Sequence, residues 1–297
     1  MLVLEQAPIP HPAPHEVRIA VHAAAITFAE FDWDLSWTHV DGTDRTPVIP
    51  SHELSGVVVE IGSDVTEVHV GEEVLGLVPF DRDGAAAEYV VMPSAQLVVK
   101  PANLTHVEAA ALPLVGLTAW QALVDHGHVR PGEVVLVHGG AGGVGSIAIQ
   151  IAKSLGAIVT TTARGRDLPF VRENGADHAI DINTTEFEDD ISDVDVVIDT
   201  VGGPIIDRSF RVMRPGGRLV TLSAPPPLGV AEAAGMSAAF FVVEPNGNEL
   251  AALVQLVETG RIRPIVSRTF SLADGRAAYE SGASPRPPGK TVLIVRP

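Results

Sequence analysis

The first hundred residues alternate apolar and polar positions in the way that short β-strands do. Val17–His22 shows this alternation most clearly, as expected of a half-buried strand. Similar short, Val-rich runs follow at Gly56–Gly62, Glu73–Val78, Tyr89–Met92 and Leu97–Val99. Strands of this length and spacing predict a compact, barrel-like β domain. Phe28–Pro50 lacks periodicity and is predicted to form a long loop, a type of segment that is often functional in a compact domain.

After Pro101, the pattern changes to strands that alternate with helices. A first helix is predicted after Thr105, which forms a capping box with Glu108, and Thr118–Asp125 continues as helix. Strands are then predicted at Val134–His138, Ile158–Ala163, Asp195–Thr200 and Arg218–Ser223, and helices at Ser146–Leu155, Leu168–Asn174, Ile205–Met213 and Asn246–Thr259. This alternation predicts a parallel sheet with helices on both faces. Because Pro264–Phe270 and Thr291–Val295 return to strand character, we expect the chain to re-enter the β domain at its end.

Composition and charge exclude several classes of function. The chain has 297 residues and a net charge of −17, which disfavours nucleic acid and anionic membranes as partners because both attract cationic surfaces. It contains no cysteine, so disulfides, thiolate catalysis and cysteine-ligated zinc cannot form. No signal sequence or uninterrupted membrane span is evident, and a cytoplasmic location is the expectation.

The turn after Val134–His138 carries the most informative motif. Gly140, Gly142 and Gly145 have G-x-G-x-x-G spacing and stand directly between a predicted strand and a predicted helix. The first glycine permits a tight turn, the second lets a diphosphate approach the backbone, and the third allows close helix–strand contact. The motif predicts a dinucleotide site, with a purely structural glycine turn as the alternative. The residues assigned to this site are Gly140, Ala141, Gly142, Gly143, Val144 and Gly145.

The end of the next strand indicates which dinucleotide binds. NAD sites usually place an acidic residue about 20 residues beyond the glycines to hold the ribose hydroxyls. Here that position falls in Thr160–Ala163, which has no acid, and Arg164 and Arg166 follow. Guanidinium groups suit the 2′-phosphate of NADPH, so NADPH is the predicted cofactor. A solvated turn is the alternative role for the two arginines.

The chain resembles the medium-chain dehydrogenase/reductase superfamily, and within it the zinc-independent quinone oxidoreductase branch that includes zeta-crystallin. The resemblance covers nearly the whole chain. The motifs that carry it are Pro50–Val58, Val70–Gly76, Ala111–Leu123, Ala141–Gly145, Gly175–Asp177, Asp199–Gly203, Arg214–Arg218 and Gly289–Leu293.

This resemblance implies an α/β protein with a GroES-like β-barrel catalytic domain and a doubly wound Rossmann domain that binds NADPH. We place the catalytic domain at 1–114 and 264–297 and the NADP-binding domain at 115–263. The resemblance also implies that the cofactor lies in the cleft between the domains and that the protein is a homodimer. The further cofactor-contacting positions that it implies are Val201, Ser223, Ala224, Phe241, Val243 and Lys290.

Departures from the family pattern limit the reactions that this chain is expected to catalyse. Zinc-dependent relatives have a catalytic Cys/His/Cys site and a four-cysteine lobe, and this chain has neither. His52 stands in a remaining Ser-His-Glu motif, where it is expected to line the site without metal or to serve as a hydrogen-bonded structural residue. Thr27-Phe28 replaces the usual Asn-Pro or Asn-Phe dipeptide, and Ile182 replaces a tyrosine that is common near the adenosine.

Without zinc, an acceptor that is already electrophilic is the easiest substrate to reduce. We therefore expect hydride transfer to a quinone or α,β-unsaturated carbonyl, with Thr27, His52 and Thr118 as the catalytic groups and with His52 or water as the proton source. Trp33 and Trp37 are predicted either to form an apolar wall for a flat substrate or to pack the loop. Two alternatives stay open: an enoyl-thioester reductase, and a cofactor-binding protein with little turnover.

Overall fold

The protein, described by a computed structural model over residues 2–39, 41–283 and 287–297, divides into two compact units. The first comprises Met1–Leu117, Glu244–Glu258 and Pro264–Pro297, and the second comprises Thr118–Val243 and Thr259–Arg263. Relative to the predicted boundaries, the first unit also takes in 115–117 and 244–258. The predicted catalytic domain includes Met1, Val40 and Ser284–Arg286, which lie outside the described residues.

The regular elements follow the predicted order closely. The strands are β1 (Glu16–Ile26), β2 (Glu53–Ile61), β3 (Glu73–Leu77), β4 (Tyr89–Pro93), β5 (Leu97–Val99), β6 (Val134–His138), β7 (Ile158–Ala163), β8 (His178–Asp181), β9 (Val194–Asp199), β10 (Met213–Thr221), β11 (Ser237–Phe240), β12 (Val266–Ser271) and β13 (Lys290–Ile294). The helices are α1 (His106–Ala110), α2 (Pro113–Trp120), α3 (Gly143–Ser154), α4 (Leu168–Glu173), α5 (Pro204–Ser209), α6 (Val230–Ala233), α7 (Gly247–Glu258) and α8 (Gly275–Glu280).

The first unit is built on one sheet with the strand order β12-β13-β1-β2-β3-β5, in which β4 also pairs with β1. β1 is longer than predicted, and a register shift between Val21 and Ala23 divides its buried residues between two apolar clusters. Val17, Ile19 and Val21 pack into one cluster, while Ala23 and Ala25 pack into another with α1 and β13. β1 therefore lies between β2 and β13, and its end meets the start of both strands.

The second unit is a six-stranded parallel sheet in the order β11-β10-β9-β6-β7-β8. The prediction of a parallel α/β sheet is confirmed, and β6 and β7 have the predicted bounds. β6 and β9 lie side by side at the centre, and every residue of β9 is buried. β8 was not predicted, because its four residues have no apolar periodicity.

Helix α7 packs against β5 and the Ser94–Gln96 turn in the first unit. The Asn103 side-chain amide donates to the Val257 carbonyl at 3.2 Å, and Gly247 lies directly against the Ala95 backbone. The predicted boundaries place this helix in the nucleotide-binding domain, because it follows the strands of that domain. Periodicity predicts a helix and its buried face, but it does not say which sheet the face contacts.

The capping box predicted for Thr105 and Glu108 is confirmed at the start of α1. The Thr105 hydroxyl accepts from the Glu108 amide at 3.3 Å, and the Glu108 carboxylate accepts from the Thr105 amide at 2.9 Å. The long loop at 28–50 contains two short 3₁₀ turns, Glu30–Asp32 and Asp34–Ser36. In the described part of the chain, no helix has both the length and the apolar character that crossing a bilayer requires.

Candidate functional site

The glycine-rich turn between β6 and α3 is shaped so that its backbone is open to a ligand. A Cβ on Gly140 would overlap the Thr161 hydroxyl, and a Cβ on Gly145 would overlap the Gly139 carbonyl. The Gly140 amide donates to the Thr162 carbonyl at 3.0 Å, which fixes the turn against β7. Gly142 is the N-cap of α3, and no side chain caps this helix end. The amides of its first turn therefore remain available for an anion, and the turn fits a dinucleotide diphosphate.

Asp199 at the end of β9 organises two neighbouring loops, a role that the sequence analysis missed. Its Oδ1 accepts from the amides of Val201 and Gly202, both at 2.9 Å, and its Oδ2 accepts from the Thr221 hydroxyl at 2.8 Å. The Thr221 and Ser223 hydroxyls are 3.1 Å apart. The sequence feature that could have revealed this role is an acidic residue at the end of an apolar strand, followed directly by Thr-Val-Gly-Gly.

The predicted cofactor positions of the second unit therefore lie along one edge of its sheet. The glycine turn follows β6, Arg164 follows β7, Val201 follows β9, and Ser223 and Ala224 follow β10. All of these strands are parallel, so their carboxyl ends share an edge, where open α/β sheets bind ligands. Val201, Ser223 and Ala224 are all exposed at this edge.

Phe241 and Val243 follow β11 at the same edge. The resemblance implies both as cofactor-contacting positions, and the regular strand ends just before them at Phe240, opposite Thr221 of β10. The Phe241 ring stacks on His126 with 4.4 Å between ring centroids. This contact gives His126 a packing role and fixes the path of the chain after β11.

The predicted phosphate-binding loop carries opposing charges. Arg164 and Arg166 are exposed, and the Arg166 Nε is 3.7 Å from the Asp167 carboxylate. Asp181, at the end of β8, lies so close to Gly165 that a Cβ there would overlap its carboxylate. β8 pairs with β7 so that Asp181 is opposite Ala163. The loop where a 2′-phosphate is expected thus carries Arg164, Arg166 and Asp167, and Asp181 lies against it.

In the first unit, Thr27 lies beside a buried ion pair. It follows the last residue of β1, and its hydroxyl accepts a hydrogen bond from the Lys290 Nζ at 3.0 Å. Lys290 forms an ion pair with Glu53, whose Oε2 accepts from the Leu114 amide at 2.9 Å. The side chains of Lys290 and Glu53 are 8% and 1% exposed. Lys290, which the resemblance implies as a cofactor contact, therefore contacts Thr27, one of the three predicted catalytic groups.

His52 precedes Glu53, and its side chain is also buried. Its ring meets Phe80 edge-on at 5.1 Å, and Phe80 in turn contacts Trp33. Burial, helped by the Arg45 cation, lowers the pKa of His52 to about 4, so the imidazole is neutral at pH 7. Its Nδ1 has no hydrogen-bond partner within the residues that the structure describes. A neutral imidazole donates one hydrogen bond through its N–H and accepts one through its other nitrogen, but it lacks the additional acidic proton of the imidazolium form.

Glu30 and Tyr279 form a further buried pair that the sequence analysis missed. The Tyr279 hydroxyl donates to the Glu30 carboxyl, which also accepts from the Ser51 amide at 3.2 Å. Burial raises the pKa of Glu30 to about 7, and these hydrogen bonds and the Lys290 cation limit the rise. Burial likewise raises the pKa of Tyr279 well above its usual range. Glu30 also lines a small pocket with His52 and Arg45.

The third predicted catalytic group, Thr118, is 7% exposed in α2 and belongs to the second unit, whereas Thr27 and His52 belong to the first. Among residues 2–39, 41–283 and 287–297, no three His, Asp or Glu side chains are grouped in a way that could hold a metal ion.

Three family models match parts of the chain, and two of them overlap. Residues 13–102 match the alcohol dehydrogenase GroES-like domain, and residues 174–293 match a zinc-binding dehydrogenase model. Residues 118–206 match the alanine dehydrogenase/PNT C-terminal domain. The matches extend over both structural units.

Curated relatives include single enzymes and a much larger protein. The chain is 31% identical to the mitochondrial NAD(P)H oxidoreductase RTN4IP1 of Danio rerio, over 95% of this chain and 84% of the relative. It is 35% identical to the 2-methylene-furan-3-one reductase of Solanum lycopersicum, over 94% of this chain and 71% of the relative. It is 34% identical to the spectinabilin polyketide synthase system protein NorB of Streptomyces orinoci, over 96% of this chain. There it spans only 13% of the relative's length.

Solved structures share the fold over nearly the whole chain. An alcohol dehydrogenase superfamily protein from Novosphingobium aromaticivorans has a TM-score of 0.90 at 33% identity, covering 99% of this chain and 96% of that one. The quinone oxidoreductase from Coxiella burnetii has a TM-score of 0.86 at 32% identity, covering 98% and 93%. The predicted fold, a GroES-like domain together with a Rossmann-like parallel sheet, is therefore confirmed.

Proposed function

The chain belongs to the medium-chain dehydrogenase/reductase superfamily of NAD(P)H oxidoreductases, and we propose that it transfers a hydride from NADPH to a quinone or an α,β-unsaturated carbonyl compound. The observation that carries this proposal is the glycine turn between β6 and α3. Its Cβ-free backbone and its uncapped helix end provide a diphosphate site at the carboxyl edge of the sheet.

The preference for NADPH rests on the loop after β7. Thr160, Thr161 and Thr162 are buried, and no acid stands at the strand end to hold the ribose hydroxyls of NADH. Arg164 and Arg166 are exposed and can donate to a 2′-phosphate, which NADH lacks. Residues Gly140–Gly145 would hold the diphosphate, and Val201, Ser223, Ala224, Phe241 and Val243 lie along the same edge.

The choice of acceptor follows from the groups that the chain can supply. NADPH supplies the hydride when it is bound. The absence of cysteine removes the cysteine-ligated zinc that polarises an alcohol in zinc-dependent relatives. A conjugated carbonyl needs only positioning and hydrogen-bond donors at its oxygen, and Thr27 can provide such a donor. The likeness to a 2-methylene-furan-3-one reductase and to a quinone oxidoreductase supports the same class.

Two measurements test the proposal. Fluorescence titration should show micromolar NADPH binding that is at least tenfold tighter than NADH binding, because only NADPH carries the 2′-phosphate. NADPH consumption should then depend on added 1,4-naphthoquinone or a small enone. Tighter NADH binding contradicts the cofactor assignment. NADPH binding without consumption of any acceptor contradicts the activity and favours a cofactor-binding protein with little turnover.

A second candidate activity is enoyl-thioester reduction. It is favoured by the match to NorB, a polyketide synthase system protein, and by a structural likeness to the CurK enoyl reductase, with a TM-score of 0.85 at 26% identity. Consumption assays with crotonyl-CoA and crotonyl-pantetheine beside the free enone distinguish the two activities. Faster turnover of a thioester than of every free enone and quinone would make this the correct assignment.

We also propose that the protein is a homodimer. β11 is the edge strand of the six-stranded sheet, so its outer side can pair with the β11 of a second copy. Light scattering coupled to gel filtration should give twice the mass of the 31.2 kDa chain. Replacing Ala239 with proline should shift the protein to monomer without loss of its circular dichroism signal, and a monomeric wild-type protein would contradict the proposal.

A further inference from the structure

Three strands bring a buried ion pair to one hydroxyl group in the first unit. β13 and β2 lie on either side of β1, and their first residues are Lys290 and Glu53. Ile26, the last residue of β1, is opposite Thr291, and Ala25 is opposite Glu53. Thr27 is the next residue along the chain, so the sheet register itself places its side chain between the two charged groups.

The pair is more deeply buried than stability alone would require. The side chains of Lys290 and Glu53 are 8% and 1% exposed, and removing such charges from water costs several kcal/mol per ion. Well-packed apolar residues commonly replace buried ion pairs without loss of stability. The retention of two charges in the core of this unit therefore suggests a role beyond folding.

The hydrogen bond from Lys290 fixes the direction of the Thr27 hydroxyl. An ammonium group has only donors, so the 3.0 Å contact between Lys290 Nζ and Thr27 Oγ uses a lone pair of the threonine oxygen. The hydroxyl hydrogen must then point elsewhere. Within the residues that the structure describes, it has no acceptor, and the Thr27 side chain is partly exposed. Its donor is consequently free to meet a ligand.

We propose that Lys290, held by Glu53, is a positioning residue that presents the Thr27 hydroxyl as a hydrogen-bond donor to the carbonyl oxygen of the acceptor. The inference rests on the proposed function. As hydride adds to the acceptor's carbon, an electron pair moves onto its oxygen, and a donor aimed at that oxygen stabilises the developing charge. The nearby ammonium strengthens the donor by polarising the Thr27 O–H bond. Water supplies the proton that completes the reduction.

Kinetics of substituted enzymes tests this role. Thr27→Val removes the hydroxyl but keeps the shape, and we expect a loss in kcat of about 100-fold, as for other oxyanion donors, with unchanged NADPH affinity. Lys290→Met alone leaves Glu53 buried without its partner and can prevent folding. The neutral pair Lys290→Met/Glu53→Gln avoids this problem, because the glutamine oxygen still accepts from the Leu114 amide.

If Lys290 acts through Thr27, its removal adds little once the hydroxyl is gone. We expect Lys290→Met/Glu53→Gln to lower kcat by roughly 10- to 100-fold, and the triple variant with Thr27→Val to be no slower than Thr27→Val within about threefold. Lys290→Arg, which keeps a cation, should recover most of the rate. Multiplying effects in the triple variant would overturn the inference.

Lys100 provides a matched control in the same unit. Its side chain is 7% exposed and forms an ion pair with Glu73 at 3.1 Å, but it donates to the Leu104 carbonyl rather than to a threonine hydroxyl. Lys100→Met should therefore reduce stability without changing the kcat of the folded enzyme. A loss in kcat equal to that of Lys290→Met/Glu53→Gln would show a general effect of buried lysines and would contradict the proposed role.

A measurement without turnover separates this inference from the proposed function. Lys100, Lys153 and Lys290 are the three lysines of the chain, so NMR of ¹⁵N-lysine-labelled protein can resolve each ammonium group. Thr27→Val should shift the Lys290 signal and speed its hydrogen exchange, while the Lys100 signal stays in place. An unmoved Lys290 signal overturns the inference. If Thr27→Val shifts the Lys290 signal but the wild-type protein reduces no acceptor, the proposed function is overturned instead.

Discussion

At the scale of single residues, the proposed preference for NADPH rests on Arg164 and Arg166. Both guanidiniums are exposed, so their charge-assisted hydrogen bonds to the 2′-phosphate are together worth about 1.5–3 kcal/mol. Arg164→Ala/Arg166→Ala should therefore raise the Kd for NADPH by about 10- to 100-fold and leave the Kd for NADH within about twofold. Arg172→Ala, an exposed arginine in α4, is the matched control. Equal weakening of both cofactors would exclude the phosphate contact.

Asp181 should limit the same preference. Its carboxylate lies against Gly165, between the two arginines in sequence, and repels a 2′-phosphate there. Because the group is partly exposed, we expect Asp181→Asn to tighten NADPH binding only about three- to fivefold, without effect on NADH. Asp190→Asn, at an exposed turn, should change neither Kd. Unchanged or weaker NADPH binding in Asp181→Asn would contradict this electrostatic role.

Sequence patterns identify site residues that directly follow a clearly predicted strand. They miss residues that come close to the site only because two strands pair. Arg164 was identifiable because it directly follows β7. Asp181 reaches the same loop only because β8 pairs with β7, and β8 itself gave no periodic signal. Glu30 and Tyr279 are 249 residues apart, so their contact could not be inferred from spacing.

At the scale of elements, the glycine turn between β6 and α3 lies where the sequence predicts it, although α3 begins at Gly143 rather than at the predicted Ser146. The same turn provides a direct test. A methyl group on Gly140 would overlap the Thr161 hydroxyl and come within 2.9 Å of Ile149 Cδ1. Gly140→Ala should therefore weaken NADPH binding at least about tenfold, as displacing the turn moves its amides from the diphosphate.

Gly275→Ala is the control for that substitution. Gly275 has no atom within 4 Å of an added Cβ and does not need a positive φ, so its cofactor affinity and melting temperature should stay near those of the wild type. Thr161→Ala combined with Gly140→Ala removes the overlapping hydroxyl and should restore part of the affinity. Normal NADPH binding by Gly140→Ala alone would show that the turn does not contact the cofactor.

At the scale of the whole molecule, the sequence predicts net charge but not the behaviour of buried ionisable groups. His138 in β6 is fully buried, with ring nitrogens 3.1 Å from the hydroxyls of Thr162 and Ser209, and burial lowers its pKa to about 4. His52 has the same direction of shift for the same reason. Both histidines stabilise the fold above pH 6.5, and that contribution is lost as the pH falls towards 4.

The contribution of Glu30 to stability should depend on pH in the opposite direction, so it can be measured separately from that of the histidines. Burial raises its folded pKa to about 7 from 4.5, so the stability it contributes is fully present below pH 4.5 and is lost as the pH rises through 7. Glu30→Gln removes this titration and can still accept from Tyr279. We expect the free energy of unfolding of the variant, relative to wild type at the same pH, to rise by up to about 3 kcal/mol between pH 5 and pH 8. Urea unfolding of both proteins at the two pH values measures this difference, and the histidine contributions cancel because both proteins keep them. Parallel stability curves would show that Glu30 is ionised throughout this range, which would place its carboxylate under the control of Lys290 rather than of burial.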